Sequence, residues 1–147
     1  MEITEIKSDK LSKPLGVYSN GIKVTNPGSL VFLPGFTSRD PEGNVVGVGD
    51  IHAQTRQVLL NMQAALREVG AEMKDVVRMT IYIKDMEQFH EIHEVRAEFF
   101  TEPYPACAML EVSRMVSPET LIEIESIAVL PAESGESVTE DGGSHDC

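Results

Sequence analysis

Two alternating segments in the second half of the chain, residues 104–113 and 121–130, constrain its fold most strongly. Alternation with a period of two is typical of strands that bury one face. The sequence Val-Ser-Pro-Glu-Thr between the segments is typical of a turn, so we predict two neighbouring strands joined by a tight connection. Cys107, Met109 and Glu123 lie opposite the main apolar residues of their segments. We therefore expect a thiol, a thioether and a carboxylate on the side of the sheet away from the core.

Earlier strands are predicted from similar patterns. Residues 17–24, 29–33 and 76–83 are rich in β-branched and alternating residues, and an Asn-Pro-Gly turn separates the first two. Residues 1–15 are predicted to form an arm or a first edge strand. Pro34-Gly35 interrupts the second pattern, and it predicts a bulge or a place where another group approaches the backbone closely.

Two helices are predicted between these strands. Asp50 is a candidate N-cap, apolar residues follow it at a spacing of three to four, and Gly70 closes the pattern. Asp85 and Gln88 resemble a capping box that opens the second helix. The order β-β-α-β-α-β-β predicts an α+β domain in which both helices cover one face of a mixed sheet. Two helices do not cover the other face, so we predict a homo-oligomer.

Composition indicates a single soluble domain. The chain has 147 residues, of which 41% are hydrophobic, enough for one core. We predict one domain over residues 1–130 and an acidic, disordered tail over residues 131–147. The two isolated cysteines, and the lack of a leader pattern or of an apolar run near the roughly 20 residues of a membrane helix, predict a cytoplasmic protein. The net charge of −12 argues against nucleic-acid partners, because binding phosphate requires lysine and arginine.

Seven motifs together resemble a known family. They are Gly16-Val-Tyr-Ser19, Leu33-Pro-Gly35, Ala53-Gln-Thr-Arg-Gln-Val-Leu59, Val76-Val-Arg-Met-Thr-Ile-Tyr-Ile-Lys-Asp85, Phe99-Phe100, Tyr104-Pro-Ala106 and Ile122-Glu-Ile-Glu-Ser-Ile-Ala128. They resemble the Rid family, the YjgF-like reactive-intermediate deaminases, which hydrolyse enamines and imines. The Tyr-Pro-Ala and Ile-Glu-Ile-Glu strands are the most specific part of a resemblance that covers most of the chain.

The resemblance implies a chorismate-mutase-like α+β fold and a homotrimer with a central barrel. It also implies cofactor-free active sites in the clefts between subunits, each taking a small-molecule substrate. Tyr18, the backbone at Gly35 and Glu123 match positions that the family uses. In such a site Glu123 would transfer protons, while Tyr18 and the backbone at Gly35 would orient the substrate. Pro34, within the Leu33-Pro-Gly35 motif, is an expected substrate contact, as are Met109 and His93.

Two departures from the family pattern bear on the substrate. Cys107 stands where deaminating members have the arginine that holds a substrate carboxylate, and His93 stands where many have asparagine. A thiol does not replace the planar fork of donors that arginine offers. We therefore expect a substrate larger than 2-aminoacrylate or differently charged, such as an aminomuconate-like compound. The sequence leaves open whether Arg39, Arg78 or Arg96 supplies the missing cation.

Several alternatives stay open. Cys107, His93 and Glu123 are a candidate Cys-His-acid set for hydrolysis of a C–N bond, or Cys107 is a small packing residue. The chain is alternatively a non-catalytic trimer that binds a small molecule. Ribonuclease activity, claimed for some relatives, is disfavoured by the acidic charge. His90 and His93 lack a third metal ligand at suitable spacing, so we expect no metal site.

Overall fold

The predicted α+β class is confirmed by a computed structural model, which describes residues 1–133. In chain order the elements are β1 (Glu2–Glu5), β2 (Ile22–Thr25), β3 (Ser29–Phe36), α1 (Ile51–Glu68), β4 (Val76–Ile83), α2 (Phe89–Ala97), β5 (Ala106–Glu111) and β6 (Ile122–Leu130). Short 3-10 turns, Met73–Asp75 and Met86–Gln88, lead into β4 and α2. Most of the predicted acidic tail, residues 134–147, lies outside the described residues.

The main sheet has the strand order β3-β6-β4-β5. β4 pairs with β6 in antiparallel register and with β5 in parallel register. The prediction that β5 and β6 are neighbours is therefore wrong, because β4 lies between them. Alternation shows which residues share a face, but not which strand lies alongside. β4 suits the central place because Met79, Ile81 and Ile83 are fully buried.

The N-terminal part forms a second, two-stranded sheet in which β1 pairs antiparallel with β2. The strand predicted over residues 17–24 begins only at Ile22. Residues 16–19 instead run beside β5, where Ser19 forms a parallel bridge with Ala106. We call residues 16–19 the flanking segment, because it covers the start of the outer edge of β5.

Both helices cover one face of the main sheet, as predicted. Asp50 caps α1, since its carboxylate accepts a hydrogen bond from the Ala53 N–H at 3.1 Å. Asp85 caps the 3-10 turn before α2 rather than α2 itself, so the predicted capping box with Gln88 is not formed. The core between the helices and the sheet includes Leu59, Met62 and Leu66 of α1 and Ile92 and Val95 of α2.

The sheet divides the predicted site residues between its two faces. Cys107 pairs with the fully buried Met79 and, like Met109, packs against the helix-covered core. Glu123 lies on the opposite face, where it pairs with Tyr82. The prediction that thiol, thioether and carboxylate share the uncovered face is therefore wrong. β5 carries apolar residues on both faces, so its alternation does not show which face is buried.

The uncovered face of the sheet exposes apolar side chains. Leu30 and Phe32 of β3 are 54% and 68% exposed, and Leu110 of β5 is 46% exposed. These apolar side chains lie on the two edge strands of the face, and their exposure favours association with another protein surface. Among residues 1–133, neither helix is long and apolar enough to cross a membrane.

Candidate functional site

Glu123 lies against the backbone of Gly35, at the bulge predicted for Pro34-Gly35. The register between β3 and β6 shifts between Leu33 and Phe36, which confirms the bulge. A Cβ atom at Gly35 would come within 2.6 Å of Glu123 Oε1, so glycine lets the carboxylate approach the backbone closely. Gly35 also lines an open cavity of about 410 Å³. We call Glu123, Pro34 and Gly35 the carboxylate half of the site.

The other predicted site residues lie around the flanking segment, which includes Tyr18. The Val17 N–H donates to His93 Nε2 at 2.8 Å, and the Val17 carbonyl accepts from Arg96 Nη2 at 2.8 Å. The same Arg96 Nη2 lies 3.6 Å from Cys107 Sγ. Two residues of α2 thus fix the backbone of the flanking segment beside β5. We call Tyr18, His93, Arg96 and Cys107 the helix half of the site.

His93 is held as a neutral imidazole. Its Nε2 accepts a hydrogen bond, so the ring proton lies on Nδ1, which is buried and has no hydrogen-bond partner among residues 1–133. Burial lowers the pKa of His93, and the nearby charges of Arg96 and His90 lower it further. Gly16 packs directly against the ring and leaves no room there for a side chain.

This lowered pKa predicts a loss of stability in mild acid. Below the ordinary histidine pKa of about 6.5, the unfolded chain takes up a proton that the folded chain resists. Stability therefore falls as the pH drops below that value. His93→Gln, which keeps an acceptor for the Val17 N–H, should flatten the dependence of unfolding free energy on pH below about 6.5. Urea unfolding at several pH values measures this, with the exposed His90→Gln as the matched control; equal slopes for both variants would contradict the assignment.

Cys107 has the environment of a packing thiol. Burial raises its pKa, although the charges of Arg96 and Arg78 oppose that change. A nucleophilic cysteine requires a lowered pKa and an adjacent base. The Nε2 atom of His93, its potential base, accepts a hydrogen bond from the Val17 N–H instead. Nothing in this geometry favours a cysteine-dependent hydrolase.

The two halves of the site do not meet within one chain. Cys107 and Met109 face the helices, whereas Glu123 faces away from them across the sheet. Four cavities between described residues are lined by neither Cys107 nor Glu123. The predicted set of Cys107, His93 and Glu123 is therefore not assembled in a single subunit, and a site that contains both halves requires a second copy.

Arg96 is one of the three candidate cations named from the sequence, and its burial was not predicted. It is 2% exposed and belongs to α2, three residues after His93. A signal was present, because a charged residue four positions after Ile92 falls on the apolar stripe of the helix. Within residues 1–133 there is no cluster of three or more side chains able to hold a metal ion.

Comparison with known proteins identifies relatives over nearly the whole length of the described chain. The family model described as endoribonuclease L-PSP matches residues 9–130. A RutC family protein of Pyrococcus abyssi is 43% identical over 123 residues, which cover 84% of this chain and 94% of the relative. A 2-iminobutanoate/2-iminopropanoate deaminase of Dermatophagoides farinae is 34% identical, with coverage of 80% and 89%. The 3-aminoacrylate deaminase RutC of Acinetobacter baylyi is 37% identical, with coverage of 78% and 88%.

A solved structure agrees with this assignment. The crystal structure of a protein of the conserved Rid family from Yersinia pestis matches with a TM-score of 0.81 at 28% identity. The match covers 88% of this chain and 100% of that one. With the fold, the family model and relatives above 30% identity in agreement, the chain belongs to the Rid family, also called the YjgF/RutC or endoribonuclease L-PSP family.

Proposed function

We propose that the chain is a deaminase that hydrolyses a small enamine or imine without a cofactor. The observation that carries this proposal is the Glu123 carboxylate, which lies against Gly35 on the uncovered face of the sheet. Similarity to relatives named as deaminases of 2-imino acids and of 3-aminoacrylate supports the same class of reaction.

The reaction needs one group that exchanges protons. Water adds to the carbon of the C=N bond, a C–O bond forms, and the C–N bond of the resulting carbinolamine then breaks. The imine and one water become a carbonyl compound and ammonia, so no oxidant is consumed. Glu123 accepts a proton from the attacking water and returns it to the departing nitrogen. With an enamine, it first takes a proton from the nitrogen and delivers one to the carbon, so that the enamine becomes the imine and the carboxylate is regenerated.

A second copy completes the site in this proposal. The carboxylate half and the helix half lie on opposite faces of one sheet, so they meet only when two subunits pack together. The exposed Phe32 and Leu110 offer apolar surface for that contact. We propose a homotrimer in which Glu123 of one subunit faces Tyr18 and Cys107 of its neighbour, near the edge strand β5.

RNA cleavage, which the description of the family model names, is not supported by the charge of this chain. A net charge of −12 repels a phosphate backbone, and RNA-binding proteins ordinarily neutralise that backbone with lysine and arginine. The non-catalytic alternative is distinguished by experiment, because it predicts a bound ligand without turnover.

The deaminase proposal is tested by measuring how fast 2-oxobutanoate forms from 2-iminobutanoate that is generated in the reaction mixture. We expect acceleration over the spontaneous rate in proportion to protein concentration. The same assay applies to 3-aminoacrylate and to an aminomuconate-like enamine, which tests the expectation of a larger or differently charged substrate. Spontaneous rates with all three compounds would contradict the proposal.

The shared site is tested by mixing two inactive variants. Glu123→Gln damages the carboxylate half and Tyr18→Ala damages the helix half, so each alone should have little activity. In co-assembled oligomers, about a quarter of the sites would combine two intact halves, and activity should return to that level. Mixed oligomers as inactive as their parents would show that each chain uses its own two halves.

A further inference from the structure

Arg96 carries a buried positive charge that the described residues do not neutralise. The side chain is 2% exposed. Burial lowers its pKa, but a guanidinium does not lose its proton in proteins, so the charge remains. Burying such a charge is costly unless it is paired. No carboxylate among residues 1–133 lies within salt-bridge distance of Arg96.

The acidic residues nearest in sequence are engaged elsewhere. Glu94 pairs with His52 at 3.5 Å, and Glu98 pairs with Arg56 at 2.7 Å, both across to α1. Among the described residues, the guanidinium of Arg96 contacts the neutral Val17 carbonyl and the Cys107 thiol. These contacts use Nη2, and Nε remains buried with no hydrogen-bond partner among the described residues.

Two more unused buried donors accompany this charge. The hydroxyl of Ser19, in the flanking segment, is buried and has no hydrogen-bond partner in residues 1–133. The Nδ1–H group of His93 is also buried without a partner there. His93 and Arg96 both contact Val17 of the same segment. Buried donors without acceptors are rare in folded proteins, and each needs an explanation. A group of hydroxyl, imidazole and guanidinium donors suits an anion, and a carboxylate accepts about four hydrogen bonds.

We propose that Arg96 binds the carboxylate of the substrate. The positive charge that pairs with the carboxylate then comes from α2, and not from β5, where Cys107 occupies the position of the arginine in deaminating relatives. Cys107 is only partly buried, so a ligand that reaches β5 from solvent meets its thiol with the guanidinium next to it. The substrate is then an enamine or imine of a carboxylic acid, and its deamination yields an oxo acid. This inference rests on the proposed function for the reaction, but it concerns binding and is tested by binding.

The test compares two ligands that differ in charge. The oxo acid 2-oxobutanoate and its uncharged analogue 2-oxobutanamide are titrated into the full-length protein, and their affinities are measured by ligand-observed NMR. We expect the wild type to prefer the acid by about 10- to 100-fold, as for a charge-assisted contact. Arg96→Gln should remove the preference, and Arg96→Lys should keep part of it. Arg78→Gln is the matched control, since Arg78 also acts electrostatically on Cys107 and should not affect the preference.

A purely structural role for Arg96 would change stability but not the ratio of the two affinities. If Arg96→Gln does not fold, the wild type is studied by NMR instead. The Nε–H resonance of Arg96 is assigned by its absence from the spectrum of Arg96→Lys. That resonance should shift with 2-oxobutanoate and not with the amide. Preference retained in folded Arg96→Gln, preference lost in Arg78→Gln, or an unshifted resonance would overturn the inference.

The outcomes separate this inference from the proposed reaction. Turnover in the wild type together with unchanged acid preference in Arg96→Gln would overturn the role of Arg96 and leave the deaminase standing. Acid preference that depends on Arg96 without turnover of any imine would support the binding site and overturn the deaminase.

Discussion

Glu123→Gln should reduce deamination by about 10²- to 10⁴-fold, the usual contribution of a positioned acid–base group. Glutamine keeps the length and shape of the side chain beside Gly35 but neither accepts nor returns a proton. The fold should be unaffected, because the carboxylate lies on the uncovered face of β6 and outside the core. Rates of 2-oxo acid formation at saturating imine, with circular dichroism of the same samples, measure both quantities.

The matched control is Glu125→Gln. Glu125 lies two residues along β6 on the same face, and its carboxylate accepts a hydrogen bond from the Tyr82 hydroxyl at 2.9 Å. That variant should change the rate by less than about threefold, since Glu125 is not at the Gly35 bulge. Equal losses in the two variants would point to the overall negative charge of this face, and an active Glu123→Gln would remove the proposed proton carrier.

Gln54→Leu should lower the free energy of unfolding by about 2–4 kcal/mol, because it leaves three partly buried backbone groups without their partners. Gln54 is fully buried in α1. Its Nε2 donates to the carbonyls of Gly47 and Glu119, and its Oε1 accepts from the Leu121 N–H at 2.8 Å. Leucine fills similar space but satisfies none of these three groups.

Gln57→Leu is the control for this prediction. Gln57 is in the same helix, and its side chain donates a hydrogen bond to the side chain of Asn61, one turn away. We expect a change below about 1 kcal/mol for it. Urea unfolding at one fixed protein concentration measures both, since association shifts apparent stability. Similar losses in both variants would mean that polarity of the helix, rather than these three bonds, sets the stability.

Local signals in the sequence predicted the helix ends and the bulge well, because each of these features depends on residues that are neighbours in the chain. Asp50 caps α1 and Gly70 follows its end, as their types and positions indicated. Pro34-Gly35 forms the bulge because proline lacks an N–H group for the ladder. The contact between Gly35 and Glu123 was accessible from the sequence only through the family resemblance.

The contacts between residues distant in the sequence were harder to predict. Apolar residues on both faces of β5 hid which face is covered, and so the positions of Cys107 and Met109 were predicted wrongly. Arginine is seldom buried, so the place of Arg96 on the apolar stripe of α2 was not interpreted as burial. Its contact with the Val17 carbonyl joins residues 79 positions apart in the chain, a pairing that only the folded structure reveals.

The central position of β4 has a consequence for how such a protein diverges. It separates the residue proposed to move protons from the residues proposed to select the ligand, within each chain. A substitution on α2 can therefore alter which compound is admitted while the geometry around Glu123 stays as it was. Proteins with this arrangement can change their substrate while they keep the residue that transfers protons.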